Sequence, residues 1–401
     1  MKNKKRILVG DIKLTEKEKS LILDILDSGR ISEYKYVNRF ENTFKELIGT
    51  KYCTLVNSGT SALIAGLLAL IYDDRYPKIK KGAKVITTPL TYIATSNAIK
   101  LVGLEPVYVD VNLGNFSINV DQIDYLLGNS NSEEYAIILP VHLMGYPCDM
   151  DVINKIADRY NLVVFEDSAQ AHGSKYKGKT TGNLSLLADY SFYIAHNIQV
   201  GEMGAIVTND IKLDRLFRKI KANGRMCDCS ICTRSQGYCQ KQGFYDPRFT
   251  HDIIGYNFKT MEFQAAIGLC QLEKFDEIIK IRQRNVKLLN ERLIKYSDTF
   301  KLPIYSEDVS YLAYPLVIKD SKLNRNSFLN RLNGYGIESR PLFGCIPTQQ
   351  PAYKDYKEKY EYKLEIAELL GLNAFYIGCH QYLEIEDIEY IGDVFDEILQ
   401  R

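Results

Sequence analysis

The 401-residue chain lacks a surplus of either charge: 51 Lys and Arg stand against 50 Asp and Glu, a formal net charge of +1. Nucleic-acid binders draw much of their affinity from basic side chains that displace counterions from phosphate, so this balance excludes that class. No apolar run comes near the roughly 18 residues that a membrane span needs. The basic start, Met1 to Arg6, is followed by only Ile7, Leu8 and Val9 before Gly10 and Asp11, too short for the core of an export signal. A soluble, cytoplasmic protein is the expectation. Internal repeats, low-complexity tracts and proline-rich linkers are also missing. So is lysine over one long stretch: none occurs between Lys179 and Lys212.

Hydrophobic residues make up 46% and charged residues 25% of the chain, the average for a globular protein, and the length allows two to three domains at roughly 150 residues each. Thr15-Glu16-Lys17-Glu18 is a capping-box pattern, followed by Leu21, Ile22, Ile25 and Leu26 on one face and a stop at Ser28-Gly29. From about residue 50, short β-branched runs alternate with helical stretches. The runs are Tyr52–Val56, Val85–Thr88, Pro106–Val109, Ala136–Val141, Leu162–Glu166, Tyr190–Tyr193 and Ala205–Thr208. Runs this apolar read as strands buried on both faces, with Thr60–Leu70 and Met150–Tyr160 as helical crossovers. The fold class is therefore α/β with a mostly parallel sheet and helices on both faces. A long amphipathic pattern from Phe263 to Tyr296 breaks the alternation. Beyond it, a strand at Tyr311–Ile318, a helix ending near Gly334 and Gly336, and a closing helix at Glu386–Leu399 read as a smaller α+β unit. The predicted division is residues 1–275, a large domain, and 276–401, a small C-terminal one.

In Val56-Asn57-Ser58-Gly59-Thr60-Ser61-Ala62 a strand gives way to a helix across small residues, where free N–H groups and the helix dipole favour an anion such as phosphate. An everyday helix cap is the alternative. In Val163-Val164-Phe165-Glu166-Asp167-Ser168-Ala169-Gln170, Asp167 falls at the carboxyl end of a buried strand, where ligands of open α/β sheets gather. It either caps the next helix or pairs with a pyridinium nitrogen, the partner a pyridoxal cofactor requires to act as an electron sink. Some 25 residues on, Ser191-Phe192-Tyr193-Ile194-Ala195-His196-Asn197-Ile198 leads to Gly201-Glu202-Met203-Gly204 and another strand.

Together these segments resemble the sugar-nucleotide aminotransferases and dehydrases, a vitamin-B6 family of the aspartate-aminotransferase fold (fold type I). The resemblance runs nearly the whole length, through Gly255-Tyr256-Asn257-Phe258-Lys259, Glu262-Phe263-Gln264-Ala265-Ala266-Ile267-Gly268 and Gln350-Pro351-Ala352-Tyr353. In aminotransferase members a lysine following the Ser-Phe pattern links covalently to the cofactor. Here that position is His196, and the lysine-free stretch leaves no neighbour to replace it. Imidazole offers no primary amine, so the resemblance implies a cofactor held non-covalently, as pyridoxamine phosphate (PMP) or pyridoxal phosphate (PLP). Histidine at that position resembles the 3-dehydrases of NDP-4-keto-6-deoxy sugars, which implies loss of the C3 hydroxyl as water with His196 as the base. An aminotransferase-like enzyme of different outcome and a non-catalytic binder of cofactor or sugar nucleotide are the alternatives.

The same resemblance carries over residue by residue. Gly59, Thr60 and Ser191 match phosphate-cradling positions, Tyr92 the aromatic that stacks on the cofactor ring, and Gln170 a residue near the cofactor's O3′. Asn257 matches a phosphate contact supplied by a second subunit, which implies a homodimer. Arg340, in Ile337-Glu338-Ser339-Arg340-Pro341-Leu342-Phe343, is a candidate substrate contact.

Of nine cysteines, an odd number that cannot all pair, four fall within 13 residues: Cys227, Cys229, Cys232 and Cys239. Inert cysteines do not cluster in a polar loop, so metal binding is the leading reading, and spacing alone does not choose the metal. Some 3-dehydrases of the family carry a [2Fe–2S] cluster on a similar segment, served by a partner reductase. Cys227, Cys229 and Cys239 lie close to that pattern. The fourth ligand position of the family is Ala169 here, with Cys232 as a substitute, and zinc is the alternative. Cys53, Cys148, Cys270, Cys345 and Cys379, and likewise His142, His172, His251 and His380, read by default as packing residues.

Overall fold

Strands form where the sequence concentrates β-branched and aromatic residues. The computed structural model describes residues 6–227 and 246–400. In chain order the strands are β1 (Tyr52–Val56), β2 (Lys84–Thr87), β3 (Glu105–Tyr108), β4 (Tyr135–Leu139), β5 (Val163–Asp167), β6 (Lys175–Tyr176), β7 (Lys179–Thr180), β8 (Leu187–Ser191), β9 (Gly204–Thr208), β10 (Phe300–Lys301), β11 (Tyr314–Ile318), β12 (Ser339–Pro341) and β13 (Ala374–Ile377). Seven of them make one sheet in the order β1-β9-β8-β5-β4-β2-β3. Only β9 runs against its neighbours in it, so the sheet is mostly parallel. A second sheet, β10-β11-β13-β12, is antiparallel throughout and belongs to the C-terminal unit.

The alternation of side chains along β8 separates two cores. Leu187 faces one core, with Phe165 and the buried helix Gly59–Tyr72. Ala188, Tyr190 and Phe192 face the other, against the helices Lys35–Ile48 and Glu262–Leu272. Edge-to-face rings hold that second side: Phe40 and Phe192 lie 5.1 Å apart, and Phe44 lies 5.0 Å from Tyr190. Each such pair contributes about 0.5–1.5 kcal/mol beyond area burial. β8 is thereby clamped from behind, and its other face is free to present Asp189 and Ser191.

Two glycines let the helix Gly59–Tyr72 sit directly on the strand ends. A Cβ on Gly59 would lie 2.6 Å from the Cβ of Ser191, and one on Gly204 would lie 2.3 Å from the carbonyl oxygen of Ser58. Ser58 caps this helix, its side chain accepting from the N–H of Ser61 at 3.1 Å.

Three expectations shift. The strand expected at Tyr311–Ile318 begins only at Tyr314, since Tyr311 takes a positive φ of 38°. The strand expected at Tyr190–Tyr193 is Leu187–Ser191, because the chain turns after Phe192 and His196 N–H bonds back to the carbonyl of Tyr193 at 2.9 Å. The continuous pattern over Phe263–Tyr296 is two helices, Glu262–Leu272 and Phe275–Leu293, followed by a short 3-10 turn, Ile294–Tyr296. The first is apolar nearly all round and packs among the N-terminal helices, whereas the second has one buried stripe facing the C-terminal helix Ile385–Leu399. One straight rod cannot bury both. The first helix, Glu16–Ser28, has the capping box of Thr15 and Glu18 and ends at Gly29 in the left-handed region. No helix among the described residues is long and apolar enough to cross a membrane.

The close seat of helix on strand gives a stability test. Gly204→Ala should lower unfolding stability by about 2 kcal/mol or more, since backbone on both sides leaves no side chain to yield. Gly334→Ala, with nothing within 4 Å of the added carbon, should fall within about 0.5 kcal/mol of the parent. Urea unfolding of both variants reads the difference.

Candidate active site

A cleft of about 350 Å³ opens at the carboxyl ends of β5 and β8 and the N-terminus of the helix Gly59–Tyr72. Gly59, Thr60, Tyr92, Asp167, Gln170, Ser191, His196 and Arg340 all line it, so the structure brings eight positions singled out in the sequence to one place. The C-terminal unit closes the far side with Arg340 on β12 and Tyr376 on β13.

The helix end supplies the anion-favouring part. The first N–H groups of a helix have no partner within it, and here Gly59 and Thr60 bring theirs to the cleft beside Ser191. Asp167 supplies the opposite chemistry. Its Oδ2 accepts from Thr95 Oγ1 at 2.8 Å and its Oδ1 from the N–H of Ala169 at 3.2 Å. Burial pushes its carboxyl above the ordinary range, and those two donors pull the other way. The preceding residue, Glu166, points to the opposite side of the strand and is consumed there, accepting from Gly182 N–H at 2.8 Å, Leu184 N–H at 2.9 Å and Ser185 Oγ at 2.9 Å. Only Asp167 of this acidic pair is left to a ligand.

His196 sits in the turn after β8, half-buried. Its Nδ1 lies 2.7 Å from the carbonyl oxygen of Ser191. A carbonyl only accepts, so Nδ1 carries the hydrogen and the lone pair is on Nε2. Burial pushes the imidazole down to about 4, with the guanidinium of Arg282 adding to the effect. Arg282 is fully buried on the helix Phe275–Leu293 and donates to the carbonyls of Leu312 at 2.8 Å, Tyr311 at 3.2 Å and His196 itself at 3.3 Å. Asn197 Nδ2 donates to the carbonyl of Ser310 at 2.7 Å. The turn bearing the imidazole is thus pinned to the segment that enters the small domain.

The remaining positions differ in how far they are committed. Gln170 is buried, and its Oε1 accepts from Met144 N–H at 3.0 Å, which leaves its NH2 end to the cleft. Tyr92 stands at the mouth, 61% exposed, 5.9 Å from the ring of Phe343. Arg340 is paired with Glu338 at 2.8 Å, and Glu338 also accepts from Val9 N–H at 3.0 Å. Asn257 does not line the cleft; it is exposed, next to Phe258, whose carbonyl accepts from Asn57 N–H at 2.8 Å. Cys227 is partly buried, and Cys229, Cys232 and Cys239 lie outside the described residues. Among the described residues no group of three His, Cys, Asp or Glu is arranged to hold a metal ion.

Two features were missed in the sequence. Asp189 lines the cleft beside Asp167, and its signal was legible: a charged residue inside the apolar run Leu187-Ala188-Asp189-Tyr190. Arg282 had no signal, because an arginine in a charge-dense helix reads as solvated. His172, expected to be a packing residue, is buried and stacks at 5.3 Å on both Tyr190 and Phe192.

Residues 13–396 match the family model of the DegT/DnrJ/EryC1/StrS aminotransferases. GDP-perosamine synthase of Escherichia coli O157:H7 is 34% identical over 395 residues, 98% of each chain. The dTDP-4-dehydro-2,6-dideoxy-D-glucose 3-dehydratase of Saccharopolyspora spinosa is 30% identical over 400 residues, 97% of this chain and 85% of its own. The solved structure of E. coli GDP-4-keto-6-deoxy-D-mannose-3-dehydratase with bound hydrated PLP superposes with a TM-score of 0.84 at 25% identity, covering 97% of this chain and 98% of that one.

The imidazole geometry predicts a titration. In histidine-labelled protein, the NMR signal that disappears in His196→Asn should titrate near pH 4, below the ordinary value of about 6.5, with Nδ1 protonated at neutral pH. A midpoint at or above 6.5 would contradict the buried, neutral ring.

Proposed function

The chain belongs to the DegT/DnrJ/EryC1/StrS aminotransferase family, and from that membership we propose that it is a PMP-dependent 3-dehydratase of an NDP-4-keto-6-deoxyhexose, with His196 as its base. One observation carries this reading. The titratable nitrogen facing the cleft at the end of β8 is an imidazole, and among the described residues no lysine lines the cleft.

The residues present fit a B6 cofactor. Gly59 lets the helix N-terminus come into contact with Ser191, Thr60 and Ser191 line the cleft there, and Asp167 offers a carboxylate with acceptor capacity left over. In this reading Gly59, Thr60 and Ser191 hold the phosphate, Asp167 the ring nitrogen, Gln170 the ring oxygen, and Tyr92 covers the ring face. When bound, the cofactor supplies an amine for the sugar's C4 ketone and a ring that withdraws electrons.

This chain's own part is proton handling and exclusion of water. Ser191's carbonyl holds the Nδ1 hydrogen, so Nε2 accepts a proton without a change of tautomer. Burial keeps that nitrogen unprotonated at neutral pH. The proton taken up at Nε2 would then be returned to the departing C3 hydroxyl, so that it leaves as water and the imidazole is neutral again. Arg340, with part of its charge engaged by Glu338, orients the anionic sugar nucleotide from the small-domain side.

A second reading, amine transfer to the same class of keto-sugar, draws on the 34% identity to GDP-perosamine synthase. Product analysis separates the two. Incubated with PMP and a candidate NDP-4-keto-6-deoxyhexose, the protein should release water from C3; an amino-sugar product would establish the second reading instead. His196→Asn should retain cofactor while losing activity by about a hundredfold or more, and full activity in that variant would end the assignment.

Asn257 enters as a contact to the phosphate of a neighbouring subunit. It is exposed on a stretch that also exposes Phe249 and Ile254, at 75% and 76%, a surface suited to a second copy. The protein should sediment as a homodimer at working concentrations, and a monomer would contradict this role. Iron in anaerobically purified protein would support the cluster expected at the cysteine segment, and zinc without iron would leave it a structural site.

A further inference from the structure

Asp189 is fully buried and lines the cleft, and neither of its carboxylate oxygens has a hydrogen-bond partner in the protein. It lies two residues before Ser191 on β8, so the two side chains share a face. Register on the parallel neighbour pairs it with Asp167 of β5. The ends of two adjacent strands thus offer two carboxyl groups, side by side, at the part of the cleft assigned to the cofactor's ring nitrogen. Leu63 lines the cleft from the helix above, and the β9 residue opposite Asp189 is Ile206, so neither neighbour brings a compensating charge.

Like charges so placed in a dry site do not both ionise; one carboxyl keeps a proton. The donor sets decide which. Asp167 has the Thr95 hydroxyl and the Ala169 N–H to stabilise its charge, and Asp189 has neither. Burial, with the charge of Asp167 added, holds the Asp189 carboxyl well above the ordinary range. As a neutral acid it has an O–H to donate and a carbonyl oxygen to accept with, and no protein group uses them. A buried acid left so is costly unless a ligand completes it.

We propose that Asp189 is a further cofactor-binding residue, a neutral carboxylic acid that completes a one-proton pair with Asp167 at the ring end of the site. The pair then carries a single negative charge, matched by a protonated ring nitrogen, whose N–H the neutral Asp189 carbonyl oxygen accepts alongside the Asp167 carboxylate. The inference rests on the B6 reading of the cleft.

The test measures PMP and PLP binding to full-length protein by fluorescence quenching and absorbance, together with thermal unfolding of the cofactor-free protein. Asp189→Leu removes an unpartnered buried acid, so the cofactor-free variant should be at least as stable as the parent. Its affinity for PMP should nonetheless fall by about tenfold or more, as expected for a lost buried hydrogen bond to a charged system. Asp189→Asn, nearly isosteric but unable to share a proton, should weaken PMP severalfold and shift the absorption maximum of bound PLP. Parent-like affinity and spectrum in both variants would overturn the proposal while leaving the B6 reading intact. A parent protein that takes up neither PMP nor PLP would end both. Should Asp189→Leu fail to fold, the affinity and spectrum of Asp189→Asn decide the matter alone.

Discussion

The site depends on one close approach: the N-terminus of the helix Gly59–Tyr72 lies in contact with the ends of β8 and β9. Any side chain at Gly59 or Gly204 would drive them apart, against Ser191 in one case and the backbone of Ser58 in the other. Because the approach is made, the unpaired N–H groups of the helix, the Ser191 side chain and the carbonyl that orients His196 fall within one small volume. The aromatic cluster behind β8 makes the approach rigid, since Phe40, Phe44, Tyr190 and Phe192 fix the strand from the side away from the cleft.

Electrostatics in the cleft follow from burial more than from net charge. A chain with nearly equal numbers of acids and bases still places two carboxyls, an imidazole and a guanidinium within one pocket wall and its backing. Desolvation acts on each in its own direction: it raises Asp167 and Asp189 and lowers His196. Burial thus favours the neutral imidazole with its lone pair available, and in the proposed pair it favours one carboxyl keeping its proton. Arg282 reinforces the first effect while spending its hydrogens on the carbonyls of residues 196, 311 and 312. One buried side chain thus couples the turn carrying His196 to the segment leading into the small domain.

Most of the fold was legible because its signals are local. The capping box at Thr15, the small-residue turn at Ser58 to Ser61, and the β-branched runs all encode structure within a few residues. The misreadings arose where distant packing decides. β8 begins three residues before Tyr190 because Leu187 and Ala188 pair with Thr208 and Val207 of β9, a register that local composition does not record. The helices Glu262–Leu272 and Phe275–Leu293 part where one buried environment gives way to another, which periodicity does not record. For the site, strand-end and helix-start residues were readable from position, whereas Arg282 and the pairing of Asp189 with Asp167 exist only through register and tertiary contact.

Imidazole in place of a tethering amine changes what the rest of the cleft must do. A covalently linked cofactor is retained whatever its other contacts contribute. One held without a link keeps its place only through the sum of its non-covalent interactions, and those must act at both ends of a flat molecule to fix its orientation as well as its affinity. In the proposed reading the helix N-terminus with Ser191 provides the anion site at one end. At the other, a lone carboxylate would meet the ring nitrogen with one hydrogen bond about which the ring could still tilt. In the proposed pairing, a second carboxyl on the adjacent strand, unengaged by protein, would share the ring N–H and so give the ring two points of contact without adding a second negative charge. On this view the residue that looks most misplaced in a buried strand is what a site without a tether requires.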